Sequence, residues 1–130
     1  MALTRGDLVT VALPGDYGKP RPALVIQSDL FGNHPSITVL PVTSDLRATP
    51  LFRVQVEPSA ANGLQLPSQV MVDKAYTVAC ERAGDPFGRL GPEQMVAVDR
   101  ALALFLGFAS GRAKKVIKIN YPAPRGGVIY

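Results

Sequence analysis

Ten prolines stand between Pro14 and Pro92, about one every eight residues, most of them beside Gly, Ser, Asn or Asp. Proline lacks the backbone donor and clashes with the preceding helical turn, so this spacing confines the intervening segments to short elements. The runs between the prolines are β-rich. Residues 7–13 and 37–42 read as strands, and residues 23–27 form a buried-type run. Residues 52–57, FRVQVE, alternate apolar and polar with period two, as a half-buried antiparallel strand does. A further strand opens over residues 70–72, with Tyr76–Ala79 as its candidate continuation. Many short strands at this spacing predict a small sandwich or barrel.

One segment departs from the pattern. Gly91-Pro92-Glu93-Gln94 puts proline at a first helical position and an acid in the first turn. Met95, Val98, Leu102, Phe105, Leu106 and Ala109 then follow at helical spacing, with Gly107 and Gly111 where a stop is expected. The expected fold class is therefore mainly β with a C-terminal helix: a β-barrel-like sheet of five to seven strands with the helix packed against it. Residues 1–109 make up the domain. Residues 110–130 read as a basic tail, flexible or artificially appended.

A length of 130 residues suits one core, and 47% hydrophobic against 18% charged residues is a globular balance. No apolar run reaches the ~18 residues of a membrane span, and the first residues lack a basic-then-apolar signal pattern. The single cysteine, Cys80, forms no internal disulfide and no metal cluster. A cytoplasmic protein without metal or cofactor is expected. The net charge of +4 is unevenly placed. Arg112, Lys114, Lys115, Lys118 and Arg125 face no acid after residue 109, which leaves residues 1–109 with nine bases against ten acids, a net of −1. Non-specific attraction to polyanions thus belongs to the tail.

No Gly-rich phosphate loop, HExxH, GxSxG or CxxC occurs. The only histidine, His34, sits in the turn Gly32-Asn33-His34-Pro35, and Cys80 lies in an apolar stretch that fits a buried thiol. More telling is Gly18-Lys19-Pro20-Arg21-Pro22-Ala23, where a cation stands between two prolines directly ahead of a buried run. Proline restricts φ at its own position and the conformation of the residue before it, so the backbone at Arg21 is expected to be nearly immobile. A pre-oriented guanidinium suits phosphate recognition, although an ordinary surface arginine before a strand fits this segment equally.

Arg5-Gly6-Asp7-Leu8-Val9, followed by Pro14-Gly15 and by Gly18-Lys19-Pro20-Arg21-Pro22 ahead of an apolar strand, resembles the opening of the MazF/PemK/Kid toxin family. Val39-Leu40-Pro41-Val42-Thr43-Ser44 resembles its next strand, which ends in a hydroxyl residue. Gly63-Leu64, then Ser68-Gln69-Val70-Met71-Val72-Asp73-Lys74, then Gly88-Arg89-Leu90-Gly91 resemble later family segments, and the helix to Phe108 resembles its last helix. The likeness runs over about residues 4–109 in order.

This resemblance implies an SH3-like small β-barrel of the MazF/Kid/CcdB kind, a homodimer, and the toxin half of a type II toxin–antitoxin pair. It implies a metal-independent endoribonuclease that cuts single-stranded RNA, often messenger RNA, by attack of a ribose 2′-OH on the adjacent phosphate. The partners it implies are that RNA and a cognate acidic antitoxin, with which the toxin also binds DNA. Arg21 aligns with the family's catalytic arginine and Thr43 with its catalytic hydroxyl residue. A fixed guanidinium and a hydroxyl aimed at a five-coordinate phosphorus act as an oxyanion hole. Arginine stays protonated at neutral pH, so proton transfer falls to water or to Asp73, Asp16 or Asp45. Tyr17, Lys19, Ser44, Gln69 and Asp73 are the expected substrate-binding residues. Tryptophan is absent and the first loop carries Asp16-Tyr17 where some members place a histidine. An alternative on the same fold is a non-catalytic gyrase-binding toxin of the CcdB kind. That kind relies on a Trp-Gly-Ile helix end, where this chain has Leu106-Gly107-Phe108.

Overall fold

The computed structural model describes residues 2–12, 19–49 and 51–109. Among these, seven strands form one sheet: β1 (Asp7–Ala12), β2 (Pro20–Val25), β3 (Ser36–Thr43), β4 (Arg53–Val56), β5 (Ser68–Met71), β6 (Tyr76–Ala79) and β7 (Gly88–Arg89). The order is β4-β5-β3-β2-β1-β7, with β6 also paired to β3, and every pairing is antiparallel. The sheet curls into a half-barrel, and one helix, α1 (Pro92–Leu106), follows it. The expected mainly-β class with a C-terminal helix is what forms. Among the described residues, no helix is long and apolar enough to cross a membrane. The tail 110–130 lies outside the described residues.

Two refinements follow from the pairing. Strand β2 begins at Pro20, ahead of the expected buried run, because Pro20, Arg21 and Pro22 pair with Ala12, Val11 and Thr10. Strands β5 and β6 do run one after the other along the same edge of β3, as expected of a continuation, but with a break. Val42 pairs with Val70 and Val39 with Tyr76, so three positions along β3 face six along the β5–β6 segment. The surplus is the 3₁₀ turn Val72–Lys74, which buries Val72 and leaves Lys74 exposed. The turn acts as an enlarged bulge, and bulges bend a strand and raise its twist.

Two apolar clusters lie on the two faces of the sheet, because successive strand side chains alternate. Leu8, Leu24, Leu40, Val56, Val70 and Val98 belong to the first, Val9, Val11, Ala23, Val25, Ile37 and Val39 to the second. Each fully buried leucine or valine contributes about 1.5–3 kcal/mol relative to exposure. Helix α1 covers the first cluster through Val98, Met95, Ala101 and Leu102. It starts on Pro92, with the Gln94 side chain accepting from the Gly91 N–H at 3.1 Å, and stops at Gly107, whose φ of 87° favours glycine. Phe105 and Leu106, expected on the packed face, are instead 51% and 55% exposed.

The Arg5-Gly6-Asp7 segment is structural. Arg5 donates from Nε to the Ile26 carbonyl at 2.9 Å and bridges Asp99 of α1 at 2.5 Å. Asp7, 5% exposed, accepts from the Thr4 N–H and from the Arg89 guanidinium. Arg89 also donates to Thr4 Oγ1 and to the Arg5 carbonyl. Chain start, β2, β7 and helix are thereby tied at one corner.

Candidate active site

The site begins where β2 and β3 stop pairing. Their ladder matches Val25 with Val39, Leu24 with Leu40 and Ala23 with Pro41. Ile26 N donates to Thr38 O at 3.1 Å, whereas Gly6 N donates to Val25 O at 2.9 Å from the opposite side. By alternation, the even residues of β2 turn their backbone groups toward β3. Pro22 is the next even residue and has no N–H to give, so the ladder ends there. Pro41 turns its backbone the other way, to the stretch of β3 opposite the Val72–Lys74 bulge. The end of β3 is therefore free along its β2 edge, while Val42 and Thr43 stay paired with Val70 and Gln69 of β5.

The parted strands open a groove of about 720 Å³. Arg21, Pro22, Pro41, Thr43 and Ser44 line it, with Thr10 from β1. Carried two residues beyond its last pair, the register would set Arg21 across from Thr43, so the two expected catalytic residues share this groove. The Thr43 hydroxyl accepts the Asp45 N–H at 3.0 Å, which leaves its own proton for an acceptor in the groove. Lys74, projecting from the bulge, lies 3.8 Å from Asp73 Oδ2 and also lines the groove.

The opposite wall comes from residues far away in sequence. Gly63, Leu64, Gln65, Leu66 and Phe87 line it. The loop that carries most of them is pinned by Asn62, which is 1% exposed. Asn62 Oδ1 accepts from the Ser59 and Leu64 N–H groups at 3.0 and 2.9 Å, and Nδ2 donates to the Glu57 carbonyl at 2.9 Å. Gly63 adopts a φ of +68°, and a Cβ there would stand 2.6 Å from the Phe87 carbonyl oxygen. A Cβ on Gly88 would stand 2.1 Å from the Asn62 carbonyl oxygen. Loop and strand β7 can approach this closely only because both positions are glycine.

The other expected substrate-binding residues are dispersed. Ser44 is exposed at the groove. Lys19 is exposed just before β2, and neither it nor Asp73 lines the groove. Gln69 is 8% exposed, and its amide is taken up within the protein. Its Oε1 accepts from Arg47 N and from Arg53, and its Nε2 donates to Arg47 O and to Gln55. Arg53 in turn donates to Asp45 O at 2.9 Å. These bonds hold the turn directly after Thr43 and Ser44. Tyr17 and Asp16 lie outside the described residues. Asp45 pairs with Arg47 at 2.9 Å. Away from the groove, Cys80 Sγ lies 3.3 Å from the His34 carbonyl oxygen, in a 3₁₀ turn and only partly buried, not in a strand. Among the described residues, no group of three His, Cys, Asp or Glu side chains could hold a metal ion.

Tyr76, Met71, Leu64, Leu66 and Phe87 are groove residues that the sequence reading did not single out. Leu64 and Met71 had entered only as members of the family-like segments, and Tyr76 only as the start of a candidate strand.

Comparison with known proteins agrees with this geometry. The sequence profile described as "PemK-like, MazF-like toxin of type II toxin-antitoxin system" matches residues 4–106. The chain is 45% identical over 108 residues to the "Probable endoribonuclease MazF" of Mycolicibacterium smegmatis, covering 82% of this chain and 99% of that protein. Among solved structures, the Mycobacterium tuberculosis toxin MazF-mt6 superposes with a TM-score of 0.67 at 27% identity, over 78% of this chain and 96% of the other. An endoribonuclease from a mycobacterial species, solved in complex with its cognate antitoxin, gives 0.70 at 25% identity, over 82% and 96%. With the profile matching residues 4–106 and a curated relative 45% identical over 82% of the chain, the chain belongs to the PemK-like, MazF-like toxins of type II toxin–antitoxin systems.

Proposed function

We propose that the groove is the active centre of an endoribonuclease that cleaves single-stranded RNA without a metal, with Arg21 and Thr43 as its catalytic pair. The observation that carries this reading is their placement on one groove, at the point where Pro22 ends the β2–β3 ladder. In the reaction a ribose 2′-oxygen attacks the neighbouring phosphorus, the bond from phosphorus to the 5′-oxygen breaks, and a cyclic phosphate and a 5′-OH result. The 2′-OH proton passes to water, and the leaving 5′-oxygen receives one from water. Arg21 and the Thr43 hydroxyl stabilise the charge that builds on the phosphoryl oxygens, each such donor being worth roughly 10²–10³ in rate. Lys74 adds positive charge beside them, while Gln69 and Arg53 hold the Thr43–Arg47 turn in place.

Messenger RNA as substrate implies action in the cytoplasm. The relative solved with its cognate antitoxin supports a silencing partner for this toxin too, with an acidic segment lying over Arg21. The protein acts as a homodimer. Phe105, Leu106 and Phe108 support this, 51%, 55% and 65% exposed at the end of α1. The gyrase-binding alternative is not favoured, since the profile and the curated relative both point to the MazF group. The test is incubation of purified protein with mixed RNA in the presence of chelator, with mapping of new 5′ ends. Cleavage is expected to persist; activity that vanishes with chelator and returns with Mg²⁺ refutes the metal-free reaction.

A further inference from the structure

The groove lining is of two kinds. Arg21, Lys74, Thr43 and Ser44 bring charge and hydroxyls to it, while Leu64, Leu66 and Phe87 bring carbon. Phe87 is the aromatic residue among the latter and is 38% exposed. Its backbone is gripped from both flanks. Phe87 N donates to Leu8 O at 2.8 Å, and Arg89 N donates to Ala61 O at 3.0 Å. The ring lies over Gly63, where an added Cβ would be 3.1 Å from Phe87 Cδ1. An aromatic ring fixed by its backbone, backed by Gly63 and lining a groove that two cations also line, matches what a stacked nucleobase needs.

We propose that Phe87 is a substrate-binding residue on which a base flanking the scissile phosphate stacks, while the phosphate itself is held at Arg21 and Lys74. The inference rests on the endoribonuclease reading above. Stacking recognises the face of a base and not its edge, so Phe87 contributes affinity and position without demanding a particular base. It therefore strengthens KM far more than kcat.

The experiment compares wild type and Phe87→Leu on one RNA that wild type cleaves, and on the same RNA with a ribo-abasic residue placed on either side of the cleaved bond. Leucine keeps the apolar bulk but removes the ring. For wild type, one of the two abasic substitutions is expected to raise KM by about 5- to 150-fold, the range of base–aromatic stacking. For Phe87→Leu, KM on intact RNA rises by about tenfold, and that abasic substitution has little further effect. Phe87→Trp retains the wild-type pattern. Equal abasic penalties in wild type and Phe87→Leu overturn the proposal. So does a Phe87→Leu variant whose main defect is loss of dimer mass in sedimentation, which would assign the ring to a protein interface. Absence of any RNA cleavage by wild type would instead refute the functional reading beneath it.

Discussion

Replacing Asn62 by alanine removes three hydrogen bonds at once: those from the Ser59 and Leu64 N–H groups to Oδ1, and that from Nδ2 to the Glu57 carbonyl. A buried polar group left without its partner costs about 1–3 kcal/mol. Ser59 and Glu57 are exposed and Leu64 is half-buried, so water can reach the orphaned groups and the low end applies. Three losses at ~1 kcal/mol give about 3 kcal/mol of destabilisation. A domain of this size holds ~5–15 kcal/mol in total, so the variant stays folded but its melting temperature falls by about 10 °C or more. Asn62→Asp keeps an acceptor for both N–H groups but sets a carboxylate oxygen against the Glu57 carbonyl and buries a charge, so it too is expected to be destabilised at neutral pH. Urea unfolding monitored by circular dichroism, with Cm and m compared across the three proteins, measures this. Below the unfolding transition, Asn62→Ala is further expected to raise KM for RNA, because Leu64–Leu66 of the groove wall are released. An alanine variant within 0.5 kcal/mol of wild type, or an aspartate variant as stable as wild type, would refute the assignment of Asn62 as the pin of this loop.

Arg21→Ala is expected to lose at least ~10²-fold in cleavage rate with its unfolding curve unchanged, and full activity would remove Arg21 from the site. Pro22→Ala restores a backbone donor facing β3, so the β2–β3 ladder should lengthen; slower amide exchange at residue 22's neighbours with reduced activity is expected, and unchanged exchange counts against the proline-opened groove. Gly88→Ala drives a Cβ against the Asn62 backbone and is expected to destabilise by more than Asn62→Ala, read as a lower Cm. Deleting residues 111–130 removes five basic residues and is expected to flatten the salt dependence of RNA binding by about one unit of slope per lost phosphate contact, without altering the cleavage sequence. An unchanged slope shows that the tail does not touch RNA.

The sequence by itself determined the approximate places of six strands and the single helix, because both rest on local rules, but not the two-residue β7. Proline spacing limits element length, the period-two pattern of residues 52–57 specifies a half-buried strand, and Gly91-Pro92 with Gly107 brackets a helix. Arg21, between two prolines, and Thr43, through the family likeness, were candidates from the sequence, and the structure places both on the groove. The tertiary structure alone decided which segments meet. The 3₁₀ turn at Val72–Lys74 arises from how β5 and β6 share one edge of β3, a register that no local spacing encodes. The far wall of the groove brings Leu64 and Leu66 together with Phe87, over 20 residues on in the chain, through two glycine contacts visible only once loop and β7 are side by side. Gln69, by sequence an apt base reader, faces inward because Arg47, Arg53 and Gln55 offer its amide a full set of partners there. The end of α1 is apolar at helical spacing yet exposed, because periodicity fixes the face a helix presents and only tertiary packing decides how much of it is covered.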